Sequence, residues 1–199
     1  MGGVTIDDAR AAAASLTGDI LQVPPMVSAV QVGGKRLHAL ARAGIEVERE
    51  ARPVTVHRFD VRASADANVL EIEVECSTGT YVRSLAADLG HALGGGAHLR
   101  NLRRTAIGSF TLDEARPIEK VDVSVLLPPS GALRDLPQIG VDDDVAEAVA
   151  YGKVLPIETL VVEGEGPWAV VNGTGTLLAV YEHHRPGTVK PAVVLPSTH

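Results

Sequence analysis

Residues 76–90 read CSTGTYVRSLAADLG and place an arginine one turn into a helix, directly after a loop of small residues. Val82, Leu85, Leu89 and Ala92 or Leu93 recur at helical spacing, so one face packs and the element is held. Thr80 is the expected N-cap, and Gly94, Gly95 and Gly96 end the helix. Its first turn carries the positive end of the backbone dipole, where carboxylate is preferred and a cation gains nothing. Arg83 therefore needs an anion. Its guanidinium is a rigid fork of donors suited to carboxylate or phosphate, and two accounts fit: an ion pair with an acid of the same domain, or a bound anion. Asp88, five residues on, faces Arg83 imperfectly, because helical partners lie three or four apart.

The strand that delivers this loop reads VLEIEVEC, residues 69–76, with Leu70, Ile72, Val74 and Cys76 on one face and three glutamates on the other. Before it, RPVTVHRFDVR loses its alternation: Val54 and Val56 share one parity, Phe59 and Val61 the other, which a bulge near His57 or Arg58 reconciles. Further upstream, Pro24 and Pro25 force an extended path, and Gly33-Gly34 makes a tight turn from SAVQV into a short helix bearing Leu37, Leu40 and Ala41, closed by Gly44. At the start of the chain, Thr5 and Asp8 signal a helix with Ile6, Ala9, Ala13 and Leu16 inward, ended by Gly18.

Downstream, the sequence predicts a strand near Thr105–Phe110 and a capping box of Thr111 with Glu114. Prolines, serine and glycine cluster at residues 126–133, which marks a linker between a first domain, 1–125, and a second, 134–199. The second contains an acid-started helix ended by Gly152 and a hairpin of Trp168–Val171 with Leu177–Tyr181 about Asn172 and Gly173, followed by one more strand. The expected fold class is α+β: a mixed or antiparallel sheet with helices, then a small mainly-β module.

Composition narrows the function. The chain of 199 residues is 45% hydrophobic with a net charge of -7 and one cysteine, Cys76. No run approaches the roughly 18 apolar residues of a membrane span, and no basic-then-apolar leader is present, so the expected address is the cytoplasm. One thiol excludes an internal disulfide and a multi-thiolate zinc site. The acidic total hides an uneven distribution: arginines and lysines gather in residues 35–62 and 83–104, acids beyond 140, so a basic face and nucleic-acid contact stay open. Against each such residue stands the plain alternative of a solvated surface charge.

Tyr81 beside the glycine-bearing loop could stack on a base or fill the core. Arg103 and Arg104 next to Leu102 could clamp phosphates around an apolar wall, or be exposed beside a core leucine. His183, His184 and His199 lack metal-ligand spacing. No hydrolase triad, phosphate-cradling loop or dinucleotide fingerprint occurs.

GDILQVPPMVSAVQVGGKRLHALARAGIEVEREARPVTV and CSTGTYVRSLAADLGHALGGGAHLRNLRRTAIGSFTLDEA together resemble the bacterial tRNA pseudouridine-55 synthases, the B-type pseudouridine synthases, from about residue 15 to 117. The module beyond 133 resembles the small RNA-binding, PUA-like domain of that family. The resemblance implies isomerisation of a uridine in the T-arm loop of tRNA by a monomer, without metal or other cofactor. It assigns Arg83 to pairing with the catalytic aspartate, Tyr81 to packing on the target base and Leu102 to an apolar wall. Pro24, Pro25, Ser28, Lys35 and Arg36 fall near substrate, and His98, Arg103 and Arg104 in a closing motif. Val27, Gln31 and His38 stand where the family has tyrosine, lysine and an aromatic. The family's Gly-Thr-Leu-Asp-Pro motif, source of the nucleophilic aspartate, has no counterpart here. The sequence reading therefore expects a C-terminal fragment with part of the catalytic domain, separated from its N-terminal portion and inactive alone, with a tRNA-binding module as the alternative and a sheet unable to fold unaided as a third reading.

Overall fold

The computed structural model describes residues 3–28 and 31–196, without the side chains of Val32, Lys35 and His38. The chain forms two units, 1–102 and 103–199. The division falls before the proline-rich 126–133 stretch that the sequence marks as a linker.

In the first unit, α1 (Ile6–Ser15) is opened by a reciprocal capping box: Thr5 Oγ1 accepts from the Asp8 amide while the Asp8 carboxylate accepts from the Thr5 amide. Then come β1 (Gly18–Gln22), β2 (Gln31–Val32), β3 (Lys35–Arg36), α2 (Leu37–Arg42), β4 (Arg52–Ala63), β5 (Leu70–Cys76) and α3 (Val82–Ala92). Gly33 and Gly34, both at positive φ, form the two-residue turn of the β2–β3 hairpin, which φ > 0 at both central residues makes natural for glycine. Ala29 and Val30 of the expected SAVQV strand lie outside the described residues.

The sheet is antiparallel in the order β1-β4-β5. The register between β4 and β5 shifts at Val56–Arg58, where the parity of the apolar residues changes, so Val56, Phe59 and Val61 all face inward. They meet Ala9 and Ala13 of α1 and Leu85 and Leu89 of α3 in one core. Each large apolar side chain taken fully from water contributes about 1.5–3 kcal/mol, so the two helices are pinned to the sheet by this cluster. β5 is half-wet: Ile72, Val74 and Cys76 are only partly buried and Leu70 is exposed.

The second unit runs through β6 (Ala106–Ile107), β7 (Phe110–Thr111), α4 (Pro129–Ala132), β8 (Gln138–Gly140), α5 (Asp143–Ala150), β9 (Leu155–Pro156), β10 (Trp168–Val171), β11 (Leu177–His183) and β12 (Thr188–Val194). Its five-stranded sheet has the order β8-β10-β11-β12-β9, with β8 parallel to β10. Asp142 caps α5, as the acid-rich start suggests. Trp168 and Tyr181 are wholly buried at the centre, and each places its polar atom on a carbonyl: indole Nε1 donates to Glu163 O at 2.8 Å and the Tyr181 hydroxyl to Lys153 O at 2.8 Å. That satisfaction lets large amphipathic rings serve as core.

The capping box expected at Thr111 starts no α-helix. Residues 111–114 form a turn in which Thr111 N donates to Glu114 Oε2 at 3.5 Å, half of the expected box, while Arg134 holds both oxygens of the same carboxylate.

Candidate nucleic-acid interface

β1 directs Ile20 and Gln22 to the inner face of the sheet. Gln22 is 2% exposed, and its amide meets the backbone of Tyr81 twice: Nε2 donates to Tyr81 O at 3.2 Å, and Oε1 accepts from Tyr81 N at 2.7 Å. Tyr81 is thereby the N-cap residue of α3, with no side-chain cap. Thr80, the expected cap, instead sits with its hydroxyl 3.4 Å from that of Ser77. The clamp on Tyr81 decides where the helix begins.

Beyond Gln22 the chain crosses the start of α3 as a strap. Pro24 and Pro25 have no N–H to give, so the strap is held through its carbonyls. Ser84 Oγ donates to Val23 O at 3.4 Å, Arg49 Nη1 to Pro24 O at 3.0 Å and Arg83 Nη2 to Val27 O at 3.0 Å. Val23 and Val27 expose apolar surface beside these contacts, and Ser28 is buried. Arg83 is exposed, spends one donor on Val27 and, among the described residues, meets no carboxylate in an ion pair. Four N–H donors of a fork held at its tip remain available beside an apolar rim. Of the two accounts open for Arg83, the structural ion pair finds no partner among the described residues. Asp88 stays on α3, half-buried; burial raises its carboxyl above the ordinary range, and the nearby His91 offsets this in part.

Several other arginines are already neutralised. Arg58 pairs with Asp60 at 2.8 Å and Glu73 at 2.6 Å, Arg62 with Glu73 at 3.5 Å, and Arg100 with Asp66 at 3.4 Å. Hydrogen bonding to Glu73 first, then to Asp60, drives the Arg58 pKa upward, and Arg58 in turn lowers that of Glu73. These are exposed pairs of small energetic weight, but they remove Arg58 and Arg62 from the basic face that the residue 35–62 cluster suggests.

The candidate residues do not all converge. The nine residues of α3 that follow Arg83 carry the chain roughly 13 Å from it along the helix axis. Gly90 then lets the 96–97 backbone lie directly on the helix, and Arg100 reaches Asp66 in the β4–β5 loop. His98, exposed between these anchors, belongs to the opposite end of the helix from Tyr81 and Arg83. Leu102 is 65% exposed. Arg36 is exposed at the N-cap of α2, and the Lys35 side chain lies outside the described part. Arg103 and Arg104 open the second unit; both are exposed and, among the described residues, in no ion pair. His183 stacks edge-on against Trp168 with centroids 4.9 Å apart, which accounts for it as packing. Gln22 and Arg49 escape a motif search, although a glutamine at the inward parity of GDILQ is a signal that a buried backbone group needs its amide.

In the first unit of this two-unit α+β chain, Arg83, exposed and in no ion pair among the described residues, faces outward beside an apolar rim and defines an anion-facing site. Residues 2–82 match the N-terminal domain of TruB family pseudouridylate synthase, and residues 83–129 match the tRNA pseudouridylate synthase B C-terminal domain. The tRNA pseudouridine synthase B of Corynebacterium aurimucosum is 44% identical over 191 residues, covering 93% of this chain and 63% of the relative. That of Bacillus cytotoxicus is 40% identical over 208 residues, covering 96% and 67%. The chain belongs to the TruB pseudouridylate synthase family. It spans about three fifths of the length of relatives such as those of Corynebacterium aurimucosum and Aromatoleum aromaticum, at 63% and 62%.

Among solved structures, a chain of a Cbf5-Nop10-Gar1 complex shares the fold with a TM-score of 0.75 at 23% identity, covering 98% of this chain and 64% of that one. A chain of an H/ACA RNP bound to a substrate RNA containing 2'-deoxyuridine gives 0.69 at 20% identity, covering 97% and 62%.

These matches correct the expectation of a C-terminal fragment with a partial catalytic domain. The family's N-terminal domain model matches from residue 2 and its C-terminal domain model follows directly, so both are represented. The expectations of a missing N-terminal portion as partner and of inactivity rested on the absence of that domain, and the match to its model over residues 2–82 removes this ground.

Proposed function

We propose that this chain acts in the isomerisation of uridine to pseudouridine in tRNA, with the T-arm loop as target. Its match to both family domains supports this reading, and one observation carries it: Arg83 is fixed by Val27 O and, among the described residues, pairs with no carboxylate, next to a Tyr81 whose backbone is locked by Gln22.

The reaction breaks the bond from uracil N1 to ribose C1′, turns the base and forms a bond from C5 to C1′. The proton leaves C5 and one is gained at N1, so composition is unchanged. The base must first leave its stack, at a cost of a few kcal/mol. Tyr81 offers a ring to the extruded base, and the exposed valines of the strap offer apolar wall. Arg83 presents paired donors to an anion, the carboxylate or phosphate that its fork fits, and holding that anion in line is worth far more than its ground-state attraction. Arg103 and Arg104 neutralise backbone phosphates, which positions the RNA without reading its sequence. None of these roles requires a metal or redox group.

The test is a T-arm stem-loop RNA tritiated at uracil C5. Isomerisation replaces that C–H bond and releases tritium to water, so release by the purified chain is the expected result. A folded chain that binds the RNA and releases nothing refutes the proposal.

A further inference from the structure

The β6–β7 hairpin has two residue pairs and a Gly108-Ser109 turn, far too little pairing to hold itself. It is gripped from residues 134–135. Arg134 Nε donates to Ser109 Oγ at 2.7 Å and Nη2 to Ser109 O at 3.0 Å; Nη1 and Nη2 also hold the two Glu114 oxygens at 2.6 and 2.5 Å. The guanidinium plane lies over Phe110 at 3.8 Å from the ring centroid. From the other side, both Asp135 oxygens accept from Ser109 N at 3.2 and 3.1 Å. Gly108 is at positive φ, and a Cβ there would stand 2.1 Å from Asp135 Oδ2, so the carboxylate closes on the turn only because position 108 is glycine.

Every feature of Arg134 is thus used inside the unit: fork, face and charge. It presents no spare charge to a ligand. Two and three residues before this hairpin stand Arg104 and Arg103, exposed and in no ion pair among the described residues. Two adjacent long side chains on an unanchored strand would spend binding energy on ordering the backbone, and anchoring it in advance cuts that cost.

We infer that Arg134, with Glu114 as its counter-ion, is a positioning residue for RNA: it fixes the hairpin that presents Arg103 and Arg104 to phosphate. This rests on the reading of the arginine pair as an RNA contact.

The experiment measures affinity for a fluorescein-labelled T-arm stem-loop by anisotropy, in the full chain and in a background carrying Arg103→Ala and Arg104→Ala. With both arginines present, Arg134→Ala and Glu114→Gln should each weaken binding about tenfold, the scale of lost preorganisation. In the double-alanine background they should change it less than about twofold, because residues acting through one another are not additive. Glu114→Gln is the decisive variant and serves also if Arg134→Ala does not fold. It removes a negative charge, so general electrostatics predicts tighter RNA binding, whereas loss of the grip predicts weaker binding. Tighter or unchanged binding by Glu114→Gln, or equal losses in both backgrounds, overturns the inference and leaves the arginine pair standing. No loss on replacing Arg103 and Arg104 overturns both.

Discussion

Gln22 holds Tyr81 at both of its backbone polar atoms, from a side chain that is 2% exposed. The contact ties the last residue of β1 to the first turn of α3, across 59 positions of sequence. It fixes the backbone of Tyr81 and with it the start of the helix that carries Arg83 two residues on. A buried amide paired this way specifies geometry more than it adds energy, since its gain over solvation is small and its loss leaves two orphaned groups.

Gln22→Leu keeps the volume and removes both bonds. The N–H and C=O of Tyr81 would then be left without their partner, and unfolding in urea should show a loss of about 2–4 kcal/mol. A loss below about 0.5 kcal/mol would mean that water replaces the amide and the clamp is incidental.

How much of this was legible in the sequence depends on how local the cause is. Thr5 with Asp8, the glycine pair at 33–34, the Asn172 turn and the parity slip at residues 54–61 are each decided within a few residues, and each is found where the pattern places it. The Thr111–Glu114 box has the same local signature, yet Glu114 is captured by an arginine 20 residues away. Thr80 loses the cap position to Tyr81, whose backbone is clamped by a glutamine 59 residues away. The parallel β8–β10 pair is non-local and carries no turn signal. For the candidate site, Arg83 was visible because its type is wrong for its place on the helix dipole. Gln22 and Arg134 were not, since each acts through backbone that only the tertiary fold brings near.

Gly90 faces the loop that follows its own helix. A methyl group there would stand 2.3 Å from Ala97 N and 2.7 Å from Gly96 C, both backbone atoms that move only with the loop. Glycine to alanine within a helix ordinarily gains about 1 kcal/mol. Gly90→Ala should instead destabilise by about 1–3 kcal/mol, the cost of overpacking, as read from chemical denaturation. A stabilised variant would show that the 94–97 turn is free to relax.

Asp88 holds its proton more tightly in the folded chain, because burial raises its pKa. A raised carboxyl pKa makes ionisation a cost to folding above that value and no cost below the unfolded one. Asp88→Asn should therefore raise the melting temperature near pH 7, with the difference vanishing below about pH 3. A gain that persists unchanged into acid would trace to packing of the amide.

The Arg134 grip has the opposite sign. Hydrogen bonding to Arg134 lowers the Glu114 pKa, and hydrogen bonding to Ser109 lowers that of Asp135. Groups with depressed folded pKa values contribute above the ordinary carboxylate range and lose that contribution as pH falls through the folded values. Amide-exchange protection of Ser109, the donor to Asp135, should be constant at neutral pH and fall below about pH 4. Protection that survives full acidification would locate the hairpin's order elsewhere.

Arg83 separates binding geometry from stability. Its single hydrogen bond to Val27 O is exposed, so Arg83→Ala should cost less than about 1 kcal/mol of folding free energy. Tritium release from the T-arm RNA should fall roughly a hundredfold or more, the penalty of an anion no longer held in line. Arg83→Lys restores the charge without the fork, one donor direction in place of a planar pair. It should stay near the alanine level in release while matching the parent chain in RNA affinity. Full recovery of release by lysine would reduce the role of Arg83 to that of a point charge, and equal losses of stability and release would make it a tie for the strap alone.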